Sequence, residues 1–257
     1  MPRPTVVLIL SVVLTSLVSA QNQPHSNSQA VAYAAQSIAA LTGGATISDV
    51  TLTGSVTWNG SDTGTATLQA LGTDDSRIDF SLNQESRSLI RNSLSGTPQG
   101  AWIGVGLSRT LAQHNCWTDA NWFFPYFSLV TTRRPQQVFK YVGRETRFGR
   151  SVEHIRSYRY LGRKPNHIST FRRLSTMDYF LDASSFLPLA ITFHEHPDND
   201  TNLDTRIEIR FMNYESFNDI LVPSRIQRLV NDGLVLDLTV TSASFNSGLR
   251  ESNFQIR

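Results

Sequence analysis

Cysteine is almost absent from this chain of 257 residues, in which Cys116 is the only one. A single thiol cannot form an intramolecular disulfide, so the folded state has to be held together by the burial of apolar side chains. The small disulfide-rich modules that are common among exported proteins are therefore excluded. Lysine is also scarce, with only Lys140 and Lys164, so arginine carries most of the positive charge.

Long apolar runs are confined to the first twenty residues. Arg3 precedes an apolar run over residues 6–18, which ends in small residues before the polar Gln21. The run has the length of a signal-peptide core, roughly 7 to 15 residues, and is shorter than the roughly 20 that span a bilayer. We therefore expect residues 1–20 to be a secretory signal peptide and residues 21–257 to form one domain that is periplasmic or secreted and does not span a membrane. The residue directly after the expected cleavage site is Gln21 and not a cysteine, which excludes a lipid anchor attached there.

The region after residue 20 contains no catalytic or metal-binding motif of high specificity. His194, His196 and Asp198 have a spacing that a zinc site can use, but two histidines and one carboxylate near a turn are more typical of a solvated strand end. Cys116 and His114 are two positions apart, which orients a nucleophile and its base poorly on a helix, so a buried free thiol is favoured. We therefore expect no catalytic residue, no metal and no cofactor, and a protein that is not an enzyme.

Charge is distributed unevenly along the chain. Residues 133–173 contain twelve arginines and lysines against Glu145 and Glu153, whereas the residues from Leu174 onward contain twelve acidic residues against six arginines. Opposite charges on facing strands explain this pattern as cross-strand pairs on a solvated surface. The alternative is that residues 133–173 form a basic surface for an anionic lipid or an acidic protein partner. Nucleic acid is not expected as a partner, because the chain has a signal for export and no recognition motif.

One helix is predicted near the start of the mature chain. Ser28 is a candidate N-cap, apolar residues recur at helical spacing from Val31 to Leu41, and Gly43 ends the pattern. The apolar side is narrow and mostly alanine, so we expect this helix to lie closely on a sheet. Residues 21–27 before it are polar and are predicted to be loose.

The rest of the chain is dominated by a period of two, which is typical of antiparallel strands with one apolar face. Asn231-Asp232-Gly233 is a strong hairpin signal, and a break at Gly149 separates two strands expected between residues 138 and 161. The sequence therefore predicts an α+β fold with a single antiparallel sheet of about nine to eleven strands. The other alternating runs are at residues 50–58, 65–71, 78–82, 177–181, 187–193, 207–211, 222–230 and 234–240.

The segment at residues 106–130 lacks this alternation and is rich in aromatic residues. Six of the eleven residues from 117 to 127 are aromatic. Each ring can bury roughly 150 to 250 Å², so exposure of the segment would create a large apolar patch. One interpretation is that short helices from this segment fill the open side of the sheet; the other is that they also line a cavity for an apolar ligand. The second interpretation gives these candidate ligand-binding residues: Trp102, Trp117, Trp122, Phe123, Phe124 and Phe127.

Three short segments resemble the superfamily of the outer-membrane lipoprotein carrier LolA. The segment DYFLDASSFLP at residues 178–188 is similar to the family's hairpin, in which a tyrosine-rich strand ends in Leu-Asp and a turn leads to Leu-Pro. Residues 211–224 are similar to its connection of a tyrosine, a spacer and an apolar-Pro pair. FNSGL at residues 245–249, followed by Phe254, resembles its chain ending. The resemblance covers residues 170–257 well and the rest in outline.

The resemblance implies an open half-barrel, in which helices cover the concave face of a curved antiparallel sheet and leave an apolar cavity. Members of the superfamily, including LppX- and RseB-type proteins, carry acyl chains or lipoproteins, or sense the state of the envelope by binding them. This implies a carrier or receptor for an acyl chain or a lipidated protein, without covalent chemistry. The alternative is an interaction, structural or stress-sensing module of the envelope that uses residues 133–173 as its contact surface. An exported metal-dependent enzyme is the least favoured alternative.

Overall fold

The computed structural model describes residues 24–83, 85–118, 120–160 and 165–256, so the expected signal peptide lies outside the described residues. Within these ranges, thirteen strands form one antiparallel sheet that is not closed into a barrel. The strands are β1 (Asp49–Trp58), β2 (Asp62–Leu71), β3 (Asp75–Leu82), β4 (Glu85–Asn92), β5 (Gln99–Gly104), β6 (Leu107–Thr110), β7 (Gln137–Arg147), β8 (Arg150–Arg159), β9 (Met177–Asp182), β10 (Pro188–Glu195), β11 (Thr205–Phe217), β12 (Ile220–Val230) and β13 (Gly233–Phe245). The helices are α1 (Ser28–Thr42), α2 (Pro125–Val130) and α3 (Pro165–Leu174), with short 3₁₀ turns at Gln113–Cys116, Thr131–Arg133 and Glu251–Phe254. The fold class predicted from the sequence is confirmed.

The strand order shows two meanders that meet in the middle of the sheet. It runs β6-β5-β4-β3-β2-β1-β13-β12-β11-β10-β9-β8-β7, with β1 paired to β13. The sheet has more strands than the nine to eleven predicted, because β4, β5 and β6 lack clean alternation. β4 ends in four consecutive buried residues, from Leu89 to Asn92, so its pattern does not show one wet face. The Asn92 side chain donates a hydrogen bond to the carbonyl of Phe254 at 2.7 Å, which shows that the C-terminal turn covers this strand.

The sheet is strongly curled, as a contact between β4 and β10 shows. These strands lie seven positions apart in the sheet order, which would separate them by about 34 Å in a flat sheet with the usual spacing of roughly 4.8 Å. Arg91 of β4 and Glu195 of β10 nevertheless place a guanidinium nitrogen 3.9 Å from a carboxylate oxygen. Their side chains are too short to cross a flat sheet, so the strands must bend towards each other and enclose a concave face.

Helix α1 lies on the concave face. Its N-cap is Asn27, one residue before the predicted Ser28, and the Asn27 side chain accepts a hydrogen bond from the backbone N–H of Ala30. The helix ends at Gly43, whose φ of 59° lies in the left-handed region that favours glycine. Ala30 and Ala34 are fully buried, and their small side chains let the helix approach β7, β8 and β12 closely.

The segment before α1 is attached to the sheet over the part that the structure describes. The backbone N–H of Asn27 donates to the carbonyl of Phe139 at 2.7 Å, and the N–H of Phe139 donates to the Ser26 hydroxyl at 3.0 Å. This differs from the loose segment predicted for residues 21–27, because β7 is an edge strand whose backbone groups are open to further pairing. Residues 21–23 lie outside the described residues.

The aromatic segment and α2 fill part of the concave face. Phe123, Phe124 and Phe127 are buried among the inward-facing residues of the strands. The hydroxyl of Tyr126 accepts a hydrogen bond from the backbone N–H of Ile47 at 3.1 Å, which joins α2 to the start of β1. None of the helices in the described ranges has the length and apolar character that crossing a bilayer requires.

The segment with the strongest family resemblance forms the hairpin of β9 and β10. The carboxylate of Asp182 accepts hydrogen bonds from the backbone N–H groups of Ser184 at 3.0 Å and Ser185 at 2.9 Å, and from both hydroxyls. Burial opposes ionisation, but these hydrogen bonds outweigh it and lower the pKa of Asp182 to about 2. The Leu-Asp pair of the motif therefore ends a strand and closes its turn.

Candidate ligand-binding cavity

A cavity of about 470 Å³ lies between the concave face and the aromatic segment. The rings of Trp58, Phe80 and Trp102 contact one another in its wall, with centroid separations between 5.2 and 6.2 Å. They meet because β1, β3 and β5 point these side chains to the same face. The volume is typical of small-molecule sites, which span roughly 300 to 1,000 Å³. The apolar wall consists of Trp58, Ile78, Phe80, Leu89, Trp102, Leu111, Trp122, Val230, Val235 and Leu236.

Another part of the cavity wall is charged. Arg228 Nη2 donates to Glu195 Oε1 at 2.7 Å, and an Arg91 nitrogen lies 3.9 Å from the same oxygen. Burial alone would raise the pKa of Glu195, but the charges of Arg228 and Arg91 outweigh it and hold that pKa below its usual value. The Arg228 guanidinium also lies over the Trp122 ring, 5.7 Å from its centroid. The cavity therefore combines an apolar surface with a fixed ionic group.

Two loops meet at the rim of the cavity. The Asn115 side chain donates to the carbonyl of His196 at 2.7 Å and accepts from the N–H of His196 at 2.9 Å. Arg109 Nη2 lies 2.6 Å from Asp198 Oδ2 in an exposed ion pair. We term these two interactions the rim contact. It joins β6 and the 3₁₀ turn after it to the connection between β10 and β11, two parts of the molecule that are distant in the sheet order.

His196 is buried beneath the rim contact. Its Nε2 lies 3.0 Å from Asp204 Oδ1 and 3.3 Å from Arg173 Nη1, and its ring packs edge-to-face on His114. Burial and the positive charge of Arg173 lower the pKa of His196 by more than Asp204 raises it. The imidazole is therefore neutral at pH 7.

The structure places the candidate ligand-binding residues in three locations. Trp102 and Trp122 lie in the cavity wall. Trp117 lies on a separate cleft and packs edge-to-face on Phe171 of α3, a helix that the sequence does not predict because few of its residues are apolar. Contact of any of these residues with a ligand stays a prediction. The remaining candidates are buried in the core: Phe123, Phe124 and Phe127.

Sequence reasoning missed most of the cavity wall. Trp58 and Phe80 occupy inward positions of β1 and β3, so alternation predicts only that they face the core. A large ring at an inward position is the one available signal for such a wall. Whether that ring is covered or borders open space depends on how far the sheet curls, and a strand pattern does not contain that information.

The histidine segment is only in part a solvated strand end. His194 is exposed, but His196 is buried by the rim contact. The described residues contain no group of three or more His, Cys, Asp or Glu side chains that could hold a metal ion. Cys116 is buried and free, as predicted, and burial raises the pKa of its thiol.

Arginines of residues 133–173 are paired with carboxylates, many of them from the acidic C-terminal part of the chain. Arg156 and Asp178, for example, are direct partners across β8 and β9. This is the cross-strand arrangement that the charge pattern favours. Binding of an anionic lipid or an acidic protein at this surface stays a prediction. The other pairs are Arg134 and Arg159 with Asp74, Arg144 with Glu153, Arg147 with Glu145 and Glu208, Arg150 with Asp182 and Arg173 with Asp204.

Solved structures share the fold of this chain, an open antiparallel sheet with helices on its concave face. A domain from Vibrio parahaemolyticus, named as an outer membrane lipoprotein-sorting protein, is similar with a TM-score of 0.56 and 14% identity over 88% of this chain and 96% of that chain. A DUF1329 family protein from Desulfovibrio piger has a TM-score of 0.50 and 12% identity over 88% and 96%. A LolA superfamily protein from Nitrosomonas europaea has a TM-score of 0.48 and 11% identity over 88% and 97%.

These comparisons confirm the fold that the resemblance implies. The first two structures carry that conclusion, and at such identities the likeness concerns the fold alone. No family model and no curated protein matches the sequence.

Proposed function

We propose that this chain is an exported carrier or receptor that binds an apolar ligand, an acyl chain or a lipidated protein, in the cavity lined by Trp58, Trp102 and Trp122. Binding involves no covalent chemistry. In this proposal residues 1–20 direct export, and residues 21–257 work in the periplasm or as a secreted protein.

The observation that carries the proposal is the uncovered apolar wall. Trp102 is only half-buried although it contacts Trp58 and Phe80, and the three rings border about 470 Å³ of space. Each methylene moved from water into such a space contributes roughly 0.8 kcal/mol, so six enclosed methylenes contribute about 5 kcal/mol before the cost of association. The likeness of the fold to a structure named for lipoprotein sorting supports a lipid-derived ligand.

A cavity-filling substitution tests the proposal. Leu111 is half-buried and lines the cavity, so Leu111→Trp places a larger side chain in the space that an acyl chain would occupy. We expect the affinity for a fluorescent fatty acid to fall more than about tenfold, because displacing two methylenes costs about 1.6 kcal/mol. The matched control is Leu203→Trp, since Leu203 is 59% exposed and does not line the cavity.

Native mass spectrometry of the same proteins provides an independent measurement. We expect co-purified or added fatty acid on the wild type and on Leu203→Trp, and much less on Leu111→Trp. Equal affinity of the folded Leu111→Trp variant and the wild type would contradict the proposal. So would a wild-type protein that binds neither fatty acids nor any component of a membrane lipid extract.

A further inference from the structure

A second cleft, of about 500 Å³, is separate from the apolar cavity and shares no lining residue with it among those described. Its walls include Trp117, Pro98 and Pro135, and its charged residues are Arg134, Arg159 and Asp74. Asp74 is the one carboxylate among the described lining residues, so two guanidinium groups face a single negative charge.

Arg134 donates hydrogen bonds to both carboxylate oxygens of Asp74. Its Nη1 donates to Asp74 Oδ1 at 2.9 Å, and its Nη2 donates to Asp74 Oδ2 and to the hydroxyl of Thr73. This is the two-pronged geometry in which arginine binds a carboxylate most strongly. Arg159 reaches the same Oδ1 only through Nη2, at 3.4 Å.

Arg159 is therefore a largely buried cation that the described part of the chain does not fully neutralise. Its side chain is 23% exposed, and its Nε and Nη1 donate to no acceptor among the described residues. Its guanidinium lies 5.4 Å from the centroid of the Trp117 ring. Burial lowers the pKa of Arg159, and the charge of Arg134 adds to this effect while Asp74 opposes it. An added anion would relieve both the burial cost and the repulsion between the two arginines.

We propose that this cleft binds an anionic group, a phosphate or a carboxylate, between Arg134 and Arg159, with Trp117 forming one side of the site. Nε or Nη1 of Arg159 donates a charge-assisted hydrogen bond to an oxygen of that group. The site goes beyond the proposed carrier function, because it lies outside the apolar cavity and selects for charge. A small free phosphate compound and the headgroup of an anionic lipid present the same chemistry to it.

Calorimetric titration of the wild-type protein tests the proposal with three probes: inorganic phosphate, dihexanoyl phosphatidic acid below its micelle concentration, and neutral dihexanoyl phosphatidylcholine. We expect millimolar or tighter binding of the two phosphate probes. A preference of more than about tenfold for the phosphatidic acid over both other probes identifies a lipid headgroup as the source, whereas equal binding of the two phosphate probes identifies a free anion.

Arg159→Gln is expected to weaken binding of the phosphate probes at least about tenfold, because it removes the charge and the open donors. Arg134→Gln gives a second variant with the same expectation. Arg156→Gln is the matched control, since Arg156 pairs with Asp178 on the opposite face of the same strand. The proposal is overturned if both Arg159→Gln and Arg134→Gln bind the phosphate probes as tightly as the wild type. It is also overturned if the wild type binds neither phosphate probe at millimolar concentration.

Discussion

At the scale of single residues, buried carboxylates close the turns in two of the segments that carry the predicted family resemblance. Asp182 closes the hairpin of β9 and β10, and Asp49 does the same for the C-terminal segment. The Asp49 carboxylate accepts hydrogen bonds from the backbone N–H groups of Ser247 at 2.8 Å and Gly248 at 3.1 Å. Each carboxylate satisfies turn N–H groups that would otherwise have no partner in the fold. The residues of these short motifs therefore form and stabilise turns. They predict the fold more directly than they predict a ligand.

Asp182→Ala is expected to lower the free energy of unfolding by about 1 to 3 kcal/mol, because the N–H groups of Ser184 and Ser185 lose their acceptor. Folding lowers the pKa of Asp182 from its ordinary 3.8 to about 2, so the ionised carboxylate stabilises the native state fully above the unfolded value. That contribution is lost as the pH falls from about 4 to about 2. Urea unfolding of the wild type and of Asp182→Ala should therefore show a difference in the free energy of unfolding at about pH 6, and a smaller difference at about pH 2.5. A difference of the same size at both pH values would contradict this role.

At the scale of elements, the rim contact determines which side chain of the histidine segment is buried. His194 and His196 lie two positions apart, and alternation predicts that they share a polar face. The connection between β10 and β11 instead folds under Asn115, and His196 is enclosed while His194 remains exposed. Burial beside Arg173 keeps His196 neutral, so its protonation works against the native loop packing.

The pH dependence of stability tests this arrangement. Folding lowers the pKa of His196, so the unfolded chain takes up a proton first as the pH falls through about 6.5, and the native state loses stability. We expect the melting temperature of His196→Gln to fall less steeply between about pH 7.5 and 5.5 than that of the wild type. The exposed His194→Gln is the control and should keep the wild-type slope. Equal slopes in all three proteins would show that His196 is not buried as a neutral group.

The sequence predicts the elements that have one polar and one apolar face. It misses the elements whose two faces have the same polarity. Strands such as β3 and β11 alternate because one face is wet, and α1 shows its alanine stripe because that stripe lies on the sheet. β4 has Arg91 buried on its inner side and Asn92 covered by the C-terminal turn, so both faces are enclosed and the pattern is lost. α3 has the opposite character, since its sequence is polar and only a few residues such as Phe171 pack against the molecule.

At the scale of the whole molecule, the curl of the sheet creates the cavity. It brings Arg91 of β4 to Glu195 of β10, on strands that lie seven positions apart in the sheet order. The aromatic density of residues 117–127 predicts that this segment covers the concave face, and the segment does so. Density alone does not separate rings that fill the core, such as Phe124, from rings that border open space, because that distinction depends on the depth of the curled sheet.

The four tryptophans allow a direct measurement of where an acyl chain binds. Trp58, Trp102 and Trp122 line the cavity, whereas Trp117 lies on the separate cleft. A fatty acid brominated along its acyl chain quenches tryptophan fluorescence on contact, so titrating it into the wild type and into Trp117→Phe reports on the cavity. We expect saturable quenching of most of the tryptophan fluorescence in both proteins. Quenching that is absent, or that disappears with Trp117→Phe, would contradict a ligand site in the cavity.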